Sequence, residues 1–241
     1  MNYIFDVDGT LSPSRGLMDV EFKQFFLSFI KKHNVYLVTG SDYSKTVEQL
    51  GSDITENVVS CFNCAGNSVY KSGKEIWSND WLIPKEAKLW LEKQLQLSKF
   101  SFKTGLHIEE RPGMVNFSIV GRNCNPEQRA LYVEWDTTHS ERESIARLFT
   151  DKFGISAQVA GETGIDIYPA GADKSQVVEW INKPITFFGD KMQRGGNDFP
   201  LAAILEKHSG CSSIQVKDWR DTQRFLFALE YPYVHDYVGV V

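Results

Sequence analysis

The sequence predicts an α/β protein, a doubly wound parallel sheet carrying an inserted α+β cap. Three observations predict it. Short apolar runs alternate with helical stripes near both ends of the chain, the rhythm of strand–helix–strand units in a parallel sheet. Several of those runs stop at acidic or hydroxyl residues: Asp6, Thr39 with Ser41, and Asp190. The middle of the chain breaks the rhythm, placing paired strand patterns and helices side by side. The expected division is a core of residues 1–81 and 172–241 and a cap of residues 82–171.

Taken in order, Tyr3, Ile4 and Phe5 read as a buried strand that empties into Asp6-Val7-Asp8, and Gly9-Thr10 turns the chain. Asp19 caps a helix whose apolar face carries Phe22, Phe25, Phe26, Phe29 and Ile30. Val35 to Val38 make a second buried strand, ending in Thr39-Gly40-Ser41-Asp42. A helix over 44–50 leads to a strand near Val58, and residues 68–77 alternate around Lys71-Ser72-Gly73-Lys74 as a hairpin. Pro84 suits the first helical position, and Ala87, Trp90, Leu91 and Leu95 mark one face of the helix behind it. Strands over 101–110 and 114–121 follow, joined through Arg111-Pro112-Gly113. A long polar helical region then carries the stripe Ile145, Leu148, Phe149, Phe153 and stops at Gly154. Strands over 155–159 and 165–168 close the insertion. From Lys174 the α/β rhythm returns: a helix to Ile181, a strand over 184–188, the loop Gly195-Gly196-Asn197-Asp198 opening a helix, a strand over 213–216 and a helix over 218–229.

Composition narrows the function classes. With 241 residues and 42% apolar content the chain can bury a proper core. Its formal charge of -5, with no long basic run, argues against a nucleic-acid surface. No apolar stretch reaches the roughly 20 residues that span a bilayer, so no membrane partner is expected. The N-terminus runs straight into a strand without a basic segment and apolar core, so a cytoplasmic location is expected. Cys61 and Cys64 form a C-x-x-C with no second pair or histidine spacing to complete a zinc site, and they read as reduced structural thiols.

Asp6 and Asp8 stand one residue apart at the carboxyl end of a core strand. Two like charges that close repel, and each loses hydration unless a cation sits between them. Such a hard oxygen site suits Mg2+. Asp6, Thr39 or Ser41, and Asp190 end three parallel strands, so they should meet at one sheet edge, where open α/β sheets bind ligands. A carboxylate nucleophile, a hydroxyl, a lysine and further carboxylates around a metal make a phosphoryl-transfer site. The carboxylate attacks phosphorus to give an aspartyl-phosphate.

The order Asp6-x-Asp8-Gly9-Thr10, Thr39-Gly40-Ser41, Lys174, then Gly189-Asp190 with Asp198 resembles the haloacid dehalogenase superfamily. That resemblance implies a core of that fold, with Asp6 as nucleophile and Asp8 as general acid/base. It implies Mg2+ held by Asp6, the backbone carbonyl of Asp8 and Asp190, supported by Asn197 and Asp198. Lys174 and the hydroxyl of Thr39 or Ser41 would bind the transferred phosphoryl group.

A narrower resemblance covers almost the whole chain. Asp6-Val7-Asp8-Gly9-Thr10-Leu11 with Pro13-x-Arg15, Gly40-Ser41-Asp42, Glu110-Arg111-Pro112-Gly113-Met114-Val115-Asn116, Gly121-Arg122 and Phe187-Phe188-Gly189-Asp190-Lys191 are similar to the eukaryotic-type phosphomannomutases. By that resemblance Arg111, Arg122 and Arg129 on the cap grip the phosphate that is not transferred. Arg15 sits beside the catalytic loop, and Asp166 contacts a sugar hydroxyl. The implied activity interconverts hexose 6-phosphate and hexose 1-phosphate, with mannose the expected sugar. Hexose 1,6-bisphosphate would be the activator, a phosphosugar the partner, and the cap the face of a homodimer. A sugar-phosphate phosphatase on the same frame is the alternative, and a non-catalytic binding protein is a third. Two departures stand out: Gly164 occupies a position where that family usually has serine, and Cys64-Ala65-Gly66 replaces its usual Glu-Asn-Gly. By residue pattern alone, Arg129 also reads as a solvated surface charge. Asp166, alternating with Ile165 and Ile167, likewise reads as an exposed strand carboxylate.

Overall fold

The protein is described by a computed structural model over residues 1–232. The chain opens with β1 (Asn2–Phe5), α1 (Val20–Ile30), β2 (Asn34–Val38), α2 (Tyr43–Leu50) and the single turn α3 (Ser52–Thr55). Then come β3 (Ser60–Asn63), β4 (Ser68–Lys71) and β5 (Lys74–Ser78). The middle holds α4 (Lys85–Leu97), β6 (Ile108–Arg111), β7 (Met114–Phe117), α5 (Pro126–His139), α6 (Glu141–Phe153), β8 (Ser156–Ala160) and β9 (Gly164–Tyr168). A 3-10 helix over Lys174–Trp180 leads to β10 (Ile185–Gly189), α7 (Phe199–Leu205), β11 (Ser212–Gln215) and α8 (Trp219–Glu230).

Two sheets result. The larger has the order β11-β10-β1-β2-β3-β4-β5, parallel from β11 to β3 and antiparallel through the β4–β5 hairpin. Its central strands are buried on both faces, so they read as continuous apolar runs rather than as alternation. The Asp19 carboxylate accepts from the Glu21 and Phe22 N–H groups and starts α1. Phe22, Phe26 and Phe29 then pack under Phe5 on one face of the sheet. The other face is filled by Ile4, Val38, Phe62, Val177, Phe187 and Leu201. The β4–β5 turn is made by Ser72 (φ 48°) and Gly73 (φ 76°), the left-handed pair a two-residue hairpin needs.

The smaller sheet is antiparallel, in the order β6-β7-β9-β8. One face packs on α4, α5 and α6 through Leu91, Phe117, Tyr132, Phe149 and Ile165. No helix among the described residues is long and apolar enough to cross a membrane.

Several local expectations are corrected. The strand expected near Val58 begins at Ser60, because the Val58 N–H still closes the α3 turn on Ile54. Pro84 caps α4 instead of opening it. The strands over 101–110 and 114–121 shrink to β6 and β7. Beyond them Gly105 and Gly121 adopt left-handed φ values, and the pairing continues only as irregular bonds such as Thr104 N–H to Val120. The single helical region is two helices, broken at Ser140 (φ 49°). Leu148, expected in the buried stripe, is 47% exposed while Ile145 and Phe149 are buried. The helix from Lys174 is 3-10 throughout.

Candidate active site

Parallel pairing in register brings the carboxyl ends of β1, β2 and β10 to one edge, and the acidic groups collect there. Asp6 follows β1 and is 3% exposed. Its Oδ1 accepts from Lys174 Nζ at 2.5 Å, and the same ammonium donates to Asp198 Oδ1 at 2.7 Å. Lys174 is 1% exposed, which is tolerable only because two carboxylates flank it. Thr10 Oγ1 donates to Asp6 Oδ2 at 3.3 Å, and the Lys191 N–H donates to Asp198 Oδ2 at 3.0 Å.

Carboxylate oxygens of Asp6, Asp190 and Asp198 lie within 4.8 Å of one another. Asp190 reaches them over Gly9, whose φ is 84° and where a Cβ would fall 2.5 Å from Asp190 Oδ2. Only glycine admits that approach. Burial pushes the Asp6 carboxyl up; Lys174 pulls it down, and Asp198 and Asp190 raise it further. Burial likewise carries Asp190 up to about 6. Three crowded carboxylates against one ammonium leave uncompensated negative charge, which a divalent cation would relieve. Asn197 Oδ1, buried without a hydrogen-bond partner, adds a spare acceptor at the same edge. The donor set is all oxygen, which fits Mg2+.

Asp8 is half-buried beside this cluster. Its Oδ1 accepts from the Arg15 N–H at 2.5 Å and from Gln49 Nε2 at 3.0 Å, and its Oδ2 accepts from Ser41 Oγ at 3.4 Å. Thr39 Oγ1 accepts from the Ser41 N–H at 3.1 Å, and both hydroxyl residues line the cleft. Arg15 holds a left-handed backbone (φ 57°) and leaves one buried guanidinium nitrogen without a partner.

The cleft's opposite wall comes from the smaller sheet, which places Glu109, Arg111, Arg122, Arg129 and Asp166 in it. Glu109 Oε2 accepts from Arg111 Nη2 and from Arg122 Nε, each at 2.6 Å. Burial alone would raise the Glu109 carboxyl, but the two guanidinium groups outweigh it and hold it low. Burial and the neighbouring Arg111 charge push Arg122 below its ordinary value. Arg111 Nη1 donates to the Gly40 carbonyl at 2.6 Å, joining the two walls. Arg129 Nη1 lies 3.4 Å from Glu162 Oε2, and the residue lines the cleft.

Asp166 belongs to the same wall. It is 4% exposed, not an exposed strand carboxylate. Alternation does turn it away from the helices, but the second face of β9 is covered by the larger unit: a Cβ on Gly40 would lie 2.8 Å from Asp166 Oδ2. Asn116 Nδ2 donates to Asp166 Oδ1 at 2.6 Å.

The structure thus gathers Asp6, Asp8, Arg15, Thr39, Ser41, Arg111, Arg122, Arg129, Asp166, Asp190 and Asn197 around one cleft, with Lys174 and Asp198 buried beneath it. Sequence reasoning missed Gln49, Glu109 and Asn116 as members of the site. Glu109 carried a signal, since residues i and i+2 of a strand share a face and Arg111 was already singled out. Gln49 carried none, because an amide on a short helix looks like any solvated residue until its bond to Asp8 is seen.

Cys61 and Cys64 are free and buried, and burial pushes each thiol up to about 12. Thiolate is the reactive form, so neither should react with Ellman's reagent at pH 8 in the folded protein. Titration is expected to find at most Cys124 and Cys211 before denaturant and all four cysteines after it. Rapid native labelling of Cys61 or Cys64 would contradict their burial.

An acidic loop after the first strand, a buried lysine shared between its aspartate and a later one, and a third carboxylate after a parallel strand define a haloacid dehalogenase superfamily enzyme. Solved structures of that fold match. The C. albicans trehalose-6-phosphate phosphatase C-terminal domain superposes with TM-score 0.62 at 13% identity, covering 95% of this chain and 91% of that one. The Plasmodium falciparum IMP-nucleotidase, truncated at its N-terminus, gives 0.60 at 16% identity over 95% of this chain and 68% of that one. At such identities the likeness speaks for the fold alone.

The family is narrower. A family model described as eukaryotic phosphomannomutase matches residues 22–229. The phosphomannomutase of Saccharomyces cerevisiae is 33% identical over 94% of this chain and 92% of its own length. That of Schizosaccharomyces pombe is 34% identical, covering 82% and 83%. The chain belongs to the eukaryotic phosphomannomutase family.

Proposed function

We propose that the protein is a phosphomannomutase that interconverts hexose 6-phosphate and hexose 1-phosphate, with mannose as the sugar. The observation that carries this reading is the pairing of two anion sites across one cleft. Asp6 stands on one wall with Lys174 bonded to it from beneath, and Arg111, Arg122 and Arg129 stand on the other. A phosphatase needs only the first site. A mutase must hold both ends of a bisphosphorylated sugar, and planar guanidinium forks suit the end that does not react.

In this reading residues 82–171 act as the cap, and residues 1–81 and 172–241 as the core. Asp6 attacks the phosphorus of a hexose 1,6-bisphosphate through one carboxylate oxygen, forming the aspartyl-phosphate as the sugar–oxygen bond to phosphorus breaks. Asp8 gives its proton to the departing sugar oxygen. In the second half, the free hydroxyl of a bound hexose monophosphate attacks the aspartyl-phosphate while Asp8 takes its proton, and the bisphosphate so formed turns end for end before Asp6 attacks its other phosphate. Gln49 and the Arg15 N–H hold Asp8 toward the cleft. Lys174 and the Thr39 or Ser41 hydroxyl face the transferred phosphoryl oxygens. Mg2+ would be held by Asp6, Asp190 and the Asp8 carbonyl, with Asp198 and Asn197 supporting, and would supply charge neutralisation at the phosphoryl group. Hexose 1,6-bisphosphate serves as the activator that first charges Asp6. An apolar groove between α4, α5 and α6, lined by Leu97, Trp135, Ile145 and Leu148, supports a homodimer through the cap.

Arg122→Ala tests the reading. Mutase turnover of mannose 1-phosphate should fall at least about 100-fold, the scale of a lost charge-assisted phosphate clamp. Hydrolysis of p-nitrophenyl phosphate, which has no second phosphate, should change less than about threefold on the same scale. Wild-type protein that releases inorganic phosphate from hexose phosphates without forming isomer would instead establish the phosphatase.

A further inference from the structure

Asn116 occupies the cleft in a way the phosphate sites do not explain. It is 5% exposed, and β7 and β9 pair it directly opposite Asp166. A carboxylate can only accept, so the 2.6 Å bond from Asn116 Nδ2 to Asp166 Oδ1 fixes which way the amide turns. That leaves Asn116 Oδ1 as a buried acceptor without any partner in the protein. An acceptor stripped of water and given nothing in exchange is destabilising, which marks it as a group that a ligand satisfies.

The space for this amide depends on Gly164. A Cβ there would lie 2.7 Å from Asn116 Nδ2 and 3.2 Å from its Oδ1. The backbone of Gly164 does not itself demand glycine, since its φ lies outside the left-handed range. The missing side chain is therefore needed by the neighbour: any larger residue at 164 drives the amide off its position. Gly164 and Asn116 work as one device, and both line the cleft.

The geometry points to Asn116 as a specificity-determining residue of the mutase, its Oδ1 accepting a hydrogen bond from a sugar-ring hydroxyl beside the one that Asp166 takes. Two acceptors on adjacent strands, one charged and one neutral, match two neighbouring hydroxyl donors on one ring. The arginines hold the phosphates, which every hexose bisphosphate presents alike. The Asn116–Asp166 pair reads the ring between them.

This inference rests on the mutase reading, and the experiment separates the two. Isomer formation and phosphate release are measured together for mannose 1-phosphate and its 2-, 3- and 4-deoxy analogues, with wild type, Asn116→Ala and Gly164→Ala. Wild type should disfavour at least one analogue by about 10- to 100-fold in kcat/KM, the scale of one stranded polar group. Both variants should lose most of that discrimination, mainly by slowing on the parent sugar while the disfavoured analogue changes less than about threefold. Gly164→Ala keeps Asn116 and Asp166 intact, so it decides the matter if Asn116→Ala fails to fold. Equal losses on all four substrates would overturn the inference, leaving Asn116 a support for Asp166 only. If wild type releases phosphate without isomer, the mutase reading fails, and the same comparison on phosphate release still decides the role of Asn116. If wild type acts on none of these sugars, both fail.

Discussion

Asp6→Asn is expected to reduce turnover at least about 10⁴-fold, the range seen when a covalent nucleophile is removed. The substitution keeps the shape of the side chain and an oxygen able to accept from Lys174, now 2.5 Å away. What it removes is the second carboxylate oxygen and the charge, which the proposed mechanism needs for attack on phosphorus. Incubation with hexose 1,6-bisphosphate labelled in its phosphates should leave wild-type protein with an acid-stable, hydroxylamine-labile label and the variant with none. Stability separates this from misfolding. Asp6, Asp190 and Asp198 crowd one another, so a neutral amide at position 6 relieves repulsion while Lys174 keeps Asp198. The metal-free variant should melt within about 4 °C of wild type, the shift of roughly one kcal/mol in a chain of this size. Retention of more than about one per cent of turnover would require another nucleophile, since a lost nucleophile costs far more.

Asp6 and its strand were legible because both are local: three apolar residues, then Asp6-Val7-Asp8-Gly9. Asp190 was legible for the same reason, as the residue that follows β10. What the sequence could not show was the contact between distant surfaces. Asp166 looked exposed because alternation on β9 reports only which side faces the helices. That its other side is sealed by Gly40 depends on how two sheets meet, and no local pattern encodes that. Gln49 is similar, a polar residue on α2 that becomes a partner of Asp8 only through tertiary packing. Leu148 failed in the opposite sense: helical spacing admits it to the stripe, but α6 is rolled so that it borders a surface groove.

Glu109 shows why the arginine wall needs more than arginines. Without an intervening carboxylate, Arg111 and Arg122 would repel, and both are largely buried. Glu109 spans them through one oxygen, so the pair stays aimed into the cleft before any phosphate arrives. Preorganised donors of that kind cost little reorganisation when the ligand binds. Asp166 faces the same guanidinium groups; burial pushes its carboxyl up, while Arg111, the Asn116 amide and Arg122 pull it back.

Lys174→Met should be the most destabilising single change at this site. The methionine fills nearly the same volume, so packing is conserved and the loss is electrostatic. Lys174 is 1% exposed and bonded to Asp6 and Asp198, both themselves buried. Burial by itself would lower the Lys174 ammonium, yet the Asp198 and Asp6 charges more than reverse that, so the residue is charged throughout the working range. Removing one member of such a cluster strands the others, at a cost of about 3–5 kcal/mol. For a chain of this length that is a fall of about 10 °C in Tm. The fall should be largest in EDTA and partly reversed by millimolar Mg2+, because a divalent cation binds the stranded carboxylates only when they are folded together. Turnover should drop about 10²- to 10³-fold even in saturating Mg2+, since the proposed mechanism sets the ammonium against the transferred phosphoryl group. A drop in Tm that is identical with and without Mg2+ would mean the ion does not bind where Asp6, Asp190 and Asp198 converge, and the cation site would have to be sought elsewhere.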